Sequence, residues 1–348
     1  MPAGFDLMKK GDAAAFFEEC GSGYAAMELG VLTNLYANRS LEDTLRYLQS
    51  LGVTMVEIGC GGYPGKAHAN PQILLNDEDA LRTFTQTIEK YGMKISALST
   101  HGNPVHPDKA VAKQFHDDFC QTVLLAEKLG IDTVVTFSGC PGDHEGAKYP
   151  NWVTCPWPED YLEVLEYQWN DVLIPYWKET VKFANAHGVT KIALEMHPGF
   201  CVYNPETLMK LRDAVGETIG ANFDPSHLFW QGIDPVWAIR NLEGAIYHFH
   251  AKDTRIDAYN KAANGVLDTK HYGDELHRSW VFRSVGYGHN MEIWRDIVSA
   301  LRLVGYDKVM SIEHEDSLMS IDEGLEKAVA FLKEAMIYEP KPTTMGWA

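Results

Sequence analysis

Ile192-Ala193-Leu194-Glu195, Ile219-Gly220-Ala221-Asn222-Phe223-Asp224, Ala245-Ile246-Tyr247-His248-Phe249-His250 and Val309-Met310-Ser311-Ile312-Glu313 are four short apolar runs that each end on a carboxylate or an imidazole. Their lengths and their β-branched and aromatic content predict strands. If the strands are parallel neighbours, their terminal groups converge, and two glutamates, an aspartate and a histidine form a donor set suited to a hard divalent cation. Side chains alternate across a strand, so His197 shares the facing of Glu195, His248 that of His250, and Glu315 that of Glu313. One of the two histidines on the third run is the expected ligand, while the deeper one fills or orients. Pro225 stops the second run after Asp224, and His227 follows in a D-x-x-H spacing that returns an imidazole to the same edge.

Upstream, four more strands are predicted at 27–35, 54–59, 94–100 and 133–139, alternating with segments of helical period. Ser40 caps a helix whose apolar stripe, Leu41, Leu45, Leu48 and Leu51, runs to Gly52. Helices over 77–91, 109–129 and 169–187 stop at Gly92, Gly130 and Gly188, where a left-handed C′ residue is needed. Pro205 and Pro235 open the next two, and 291–304 and 321–336 complete the series. Eight strand–helix units predict an α/β fold, a single closed (β/α)8 barrel, with an N-terminal arm at 1–24 and a tail at 337–348. The connections at 140–159 and 254–288 are long and leave the C-terminal ends of the fourth and seventh strands, so both are expected walls or lids of a site. Tyr149, Trp152, Trp157 and four prolines predict order in the first.

A net charge of −18 repels polyanions, which excludes nucleic acid as an expected partner. No run is long and apolar enough to predict a membrane span. Lys9-Lys10 has no apolar stretch behind it, so a cleaved leader is not expected. Six cysteines without a CxxC pair predict reduced thiols and a cytoplasmic protein. Three unpaired carboxylates at one barrel mouth are electrostatically costly, and a divalent cation is the simplest neutraliser; oxygen-rich ligation with one imidazole favours Mn2+, Mg2+ or Co2+. Carboxylates on opposite sides of such an ion can exchange protons with the carbon next to a polarised carbonyl, which is keto-sugar chemistry. The absence of a Gly-rich phosphate cradle favours a free or glycosylated sugar over a sugar phosphate.

Ala193-Leu194-Glu195-Met196-His197-Pro198-Gly199, Asn222-Phe223-Asp224-Pro225-Ser226-His227-Leu228, His248-Phe249-His250-Ala251-Lys252-Asp253, Gly286-Tyr287-Gly288 leading into Trp294, and Ser311-Ile312-Glu313-His314-Glu315 resemble the serial motifs of the xylose isomerase-like TIM barrels over about 27–336. The resemblance to the epimerase branch implies that Glu195, Asp224, His250 and Glu313 bind Mn2+ or a similar ion. It further implies that Glu195 and Glu313 act as the acid/base pair, and that His227 and Arg255 hold substrate oxygens. His197 and the aromatic Trp152 are further candidates for substrate contact. The enlarged 140–159 and 254–288 segments and the N-terminal arm are similar to the catalytic subunit of C-glycoside deglycosidases, which open 3-keto-glycosides by enolisation and elimination with a small β-sandwich partner subunit. That resemblance implies His144 or His101 as a substrate base. A homo-oligomer is the alternative assembly. Endonuclease IV shares the Glu, Asp-x-x-His, His and Glu positions. Its Asp-x-His pair is replaced here by Gly286-Tyr287-Gly288-His289, which disfavours that reading together with the acidic charge.

Overall fold

Eight parallel strands pair in sequence order until the last closes onto the first. In the computed structural model, which describes residues 27–339, they are β1 (Glu28–Leu32), β2 (Met55–Gly59), β3 (Lys94–Ser99), β4 (Thr133–Thr136), β5 (Lys191–Glu195), β6 (Ile219–Phe223), β7 (Ile246–Ala251) and β10 (Val309–Ile312). β10 pairs with β7 on one side and β1 on the other, so the sheet is a closed barrel with no free edge. The expected arm at 1–24 lies outside the described residues, as does most of the expected tail. No helix among the described residues is long and apolar enough to cross a membrane.

Local chemistry sets the helices between the strands. Ser40 Oγ accepts the Asp43 N–H at the start of Leu41–Ser50, and Leu45 and Leu48 of that helix are buried against the barrel. Asp108 caps Lys109–Leu129, which ends on Gly130 in the left-handed conformation, φ 70°. Larger side chains fill the helix–strand interface, Trp177 and Trp294 being fully buried there.

Three departures from the sequence reading bear on the barrel mouth and its long connections. β1 stops at Leu32, and a 3-10 turn at Thr33–Tyr36 follows, anchored by the Tyr36 hydroxyl donating to Asp322 Oδ1 at 2.6 Å. The helix expected at 169–187 starts earlier, as Asp160–Glu166, and passes through a wider π-helical segment, Tyr167–Leu173, into Ile174–Ala186. Pro175 explains the wide turns, because it has no N–H to give to residue 171 and its ring crowds that carbonyl. Within the π segment, Gln168 Nε2 donates to the carbonyls of Pro141, Gly142 and Asn151, tying down the long 140–159 connection.

The 254–288 segment is the third departure: it is no plain loop. β8 (Asp253–Ile256) and β9 (Trp280–Arg283) form an antiparallel hairpin, with the helix Ala258–Asn264 at its tip. The Arg278 guanidinium lies 4.4 Å from the Tyr272 ring and 4.5 Å from that of Trp280, and Trp280 stacks on Trp230 at 4.6 Å. At its base the buried Asp253 carboxylate accepts the backbone N–H groups of Thr254, Gly286, Gly288 and His289, the His289 ring at 2.7 Å and the Trp294 indole at 3.2 Å. A Cβ at position 288 would lie 2.4 Å from Asp253 Oδ1, so only glycine permits this approach.

Asp253→Ala would strand these buried donors together, and urea unfolding is expected to show a loss of about 3–5 kcal/mol. A loss below about 1 kcal/mol would contradict the anchoring role.

Candidate metal centre

Strand register builds the site. Glu195 pairs with Asn222 and Asn222 with His248, while His250 pairs with Ser311. Asp224 and Glu313 stand two residues further along the same inward faces as Asn222 and Ser311. Glu195, Asp224, His250 and Glu313 therefore come from four consecutive strands of the wall, β5, β6, β7 and β10. Below them, the His248 ring sits between Asn222 Oδ1 at 3.0 Å and Ser96 Oγ at 3.1 Å, so it is the deeper, orienting histidine of the pair.

One donor atom from each of Glu195, Asp224, His250 and Glu313 lies within 4.8 Å of all the others. His250 Nε2 lies 2.8 Å from Glu57 Oε2, an oxygen that also accepts the Ser311 hydroxyl at 2.9 Å, while Ser99 donates to Oε1. Burial alone would raise the Glu57 carboxyl, but the imidazoles of His250 and His248 and the hydrogen bonds from His250 and Ser99 outweigh it and bring it down to about 2. An ionised Glu57 can only accept, so the proton of this bond is on Nε2, and Nδ1 turns to the other carboxylates.

His250 Nδ1 is 3.2 Å from Glu195 Oε2 and 3.3 Å from Glu313 Oε2, yet makes a directed hydrogen bond to neither. Asp224 Oδ2 is likewise 3.2 Å from both His227 Nε2 and Lys252 Nζ without a directed bond. Two buried polar atoms facing the same point without partners are what a cation there would satisfy, and the donor set fits a divalent ion.

The surrounding groups respond to this crowding. Burial raises Glu195, but hydrogen bonds from His101 at 3.0 Å and His227 at 2.9 Å, with the charge of the adjacent His250, hold it well below the usual carboxylate range. Burial also raises Glu313, and the charges of Lys252 and His250 bring it down despite Glu195. Asp224 is the carboxyl that yields: burial, with Glu195 and Glu313 beside it, outweighs Lys252 and pushes it up to about 7. His227 is pushed down to about 3 by burial and by the neighbouring His197 and Lys252.

A cavity of about 370 Å3 opens beside the cluster, walled by Tyr63, His101, Phe137, His197, Phe200 and Glu315. Phe137 and Phe200 stack at 4.3 Å, and the Phe282 ring of the hairpin lies 4.7 Å from Lys252 Nζ.

The structure brings Glu195, Asp224, His250, Glu313, His101, His197 and His227 to one place. Three other candidates are elsewhere. His144 is exposed in the 140–159 connection and pairs with Asp143 at 2.8 Å, away from the cluster. Arg255 is exposed on β8, where its Nη1 donates to the Gly288 carbonyl at 3.4 Å. Trp152 packs edge-on against Tyr203 at 5.5 Å and lines a separate cavity of about 210 Å3 with Trp169 and Lys210. Glu57 and Lys252 were not foreseen. Glu57 is a lone acid inside an apolar strand, and Lys252 repeats the two-residue spacing of His248 and His250.

The family model described as xylose isomerase-like TIM barrel matches residues 45–335. Protein YfiH of Bacillus subtilis is 41% identical over 312 residues, covering 89% of this chain and 99% of its own length. The rhizopine catabolism protein MocC of Rhizobium meliloti is 25% identical over 229 residues, 65% of this chain and 62% of its own. Among solved structures, a D-tagatose 3-epimerase-like protein superposes with a TM-score of 0.60 at 21% identity, covering 89% of this chain and 97% of that one. The IolI protein with a bound zinc atom gives 0.59 at 21% identity, with coverage of 89% and 96%.

A carboxyl raised in the folded state favours folding below its unfolded pKa, and that contribution is lost as pH rises through its folded value. For Asp224 the window runs from the ordinary 3.8 to about 7. In chelator-treated protein, Asp224→Asn is therefore expected to gain stability relative to the unsubstituted chain as pH rises from about 6 to about 8. Thermal unfolding of the two across that range checks it, and a constant difference would contradict it.

Proposed function

The chain belongs to the xylose isomerase-like TIM barrel family, and from that premise we propose that it is a divalent-metal-dependent isomerase or epimerase acting beside the carbonyl of a keto-sugar. The observation that carries this reading is the placement of Glu195 and Glu313 on the two outer strands, β5 and β10, of the four that supply the cluster. Asp224 and His250 stand between them. Mn2+, or Mg2+ or Co2+, held by Glu195, Asp224, His250 Nδ1 and Glu313 would supply a Lewis acid that polarises the carbonyl and lowers the cost of an enediolate.

The chain's own residues supply the proton chemistry. Glu313 is kept ionised by Lys252 and His250, the state in which a carboxylate accepts a proton from carbon. Glu195, also held ionised, stands across the cluster with His101 and His227 at its two oxygens, so a proton it delivers to carbon must first reach it from one of these imidazoles. His197, exposed to the cavity, is placed to hold a substrate hydroxyl, and the stacked Phe137 and Phe200 offer an apolar face to sugar C–H groups while excluding water.

Of the two bases implied by the eliminating reading, His144 is turned to solvent while His101 lines the cavity beside Glu195, so lysis of a 3-keto-glycoside is the second reading. For isomerisation the substrate is the one partner that the chemistry requires. The acidic charge and the lack of any basic stripe give no support to a nucleic-acid substrate.

Activity on a panel of keto-sugars is expected to vanish on chelation and return with Mn2+. Glu195→Gln and Glu313→Gln should each slow turnover by about 10²–10⁴-fold, read together with solvent-deuterium exchange at the carbon beside the carbonyl. Full exchange in both variants would overturn the acid/base assignment.

A further inference from the structure

We infer that Lys252 is a tethered competitor for the divalent cation, and that Glu315 is the seat to which its ammonium retreats when the cation binds. This rests on the metal-binding reading above and goes beyond it by assigning the control of occupancy to a residue outside the ligand set.

Lys252 continues the inward face of His248 and His250 and is 2% exposed. Its Nζ lies 2.6 Å from Glu313 Oε2 and 3.2 Å from Asp224 Oδ2, so it contacts two of the four proposed ligands. A cation ligated by those carboxylates would sit about 2.0–2.2 Å from their oxygens. An ammonium and a divalent ion sharing those carboxylates repel strongly in so dry a place.

The ammonium also has a partner that the cation would not share. Glu315 Oε2 is 3.1 Å from Nζ, and its side chain is 49% exposed, on the side of the cluster that opens to the cavity. The Phe282 ring at 4.7 Å gives the displaced charge an aromatic face as well. Charge balance keeps the lysine close in both states. Glu195, Asp224 and Glu313 contribute three negative charges when ionised, a divalent ion leaves one, and Lys252 cancels it. Without the ion, the Lys252 ammonium bridges Asp224 and Glu313, with His250 beside Glu313 on the other side.

Calorimetric titration of chelator-treated protein with Mn2+ tests this, with Asp224→Asn identifying the site by loss of one-to-one binding. Lys252→Met and Lys252→Gln are expected to bind Mn2+ about tenfold tighter or more, while their metal-free forms melt at a lower temperature. Glu315→Gln is expected to bind more weakly, because the displaced ammonium has lost its seat. That weakening should shrink to less than about twofold in the Lys252→Met background, since residues acting through one another are not additive.

Unchanged or weaker binding in both lysine variants, with the unsubstituted chain binding normally, would overturn the competition and leave the metal site standing. An equal effect of Glu315→Gln in both backgrounds would show direct electrostatics and also overturn it. Absence of any Mn2+ binding that Asp224→Asn abolishes would overturn the metal reading and the competition together.

Discussion

The bond between His250 Nε2 and Glu57 governs what the barrel mouth can hold. Glu57 comes from β2 and His250 from β7, strands on different arcs of the wall, so only closure of the sheet makes the contact. With its Nε2 proton committed to an ionised carboxylate, the imidazole presents Nδ1 to Glu195 and Glu313. Ser99 and Ser311 fix Glu57 in turn, and the orientation of the ring is locked by groups that never approach the cavity.

That orientation creates an electrostatic problem. Glu195, Asp224 and Glu313 are crowded into a space where burial opposes charge on each, and the strain falls on Asp224, which holds a proton up to about 7. A lysine ammonium relieves part of it. The divalent ion proposed above would relieve the rest. The apolar packing that stabilises the fold is largely elsewhere, between the helices and the outer faces of the strands, where Trp177 and Trp294 are fully buried. The hairpin after β7 bridges the two regions: Asp253 anchors it to the start of the following helix, and Phe282 covers Lys252 and packs edge-on against His227 at 5.3 Å.

The barrel was legible because strand ends and helix stops are written in local chemistry. Gly130 and Pro225 bracket elements by backbone geometry alone, and each of the four runs that converge at the mouth ends on its acid or imidazole. Asp224, His250 and Glu313 follow from parity once the strands are taken as neighbours. Glu57 was not legible, because its partner lies 193 residues away and nothing local marks a buried acid as an anchor for a distant imidazole. Lys252 was hidden for another reason: a lysine is ordinarily a surface residue, and only the closed barrel shows three carboxylates waiting for it. Strand parity says nothing of His144 and Arg255, whose directions in a loop and a hairpin are set by tertiary packing, and both are exposed.

The chemistry proposed for the barrel mouth depends on a cation at one point. An anomalous-scattering map from crystals grown with manganese is the most direct measurement. It should show one peak bonded to Glu195, Asp224, His250 through Nδ1 and Glu313, with Nε2 of the same ring still on Glu57. No peak there, or ligation through Nε2 with the Glu57 contact broken, would contradict it.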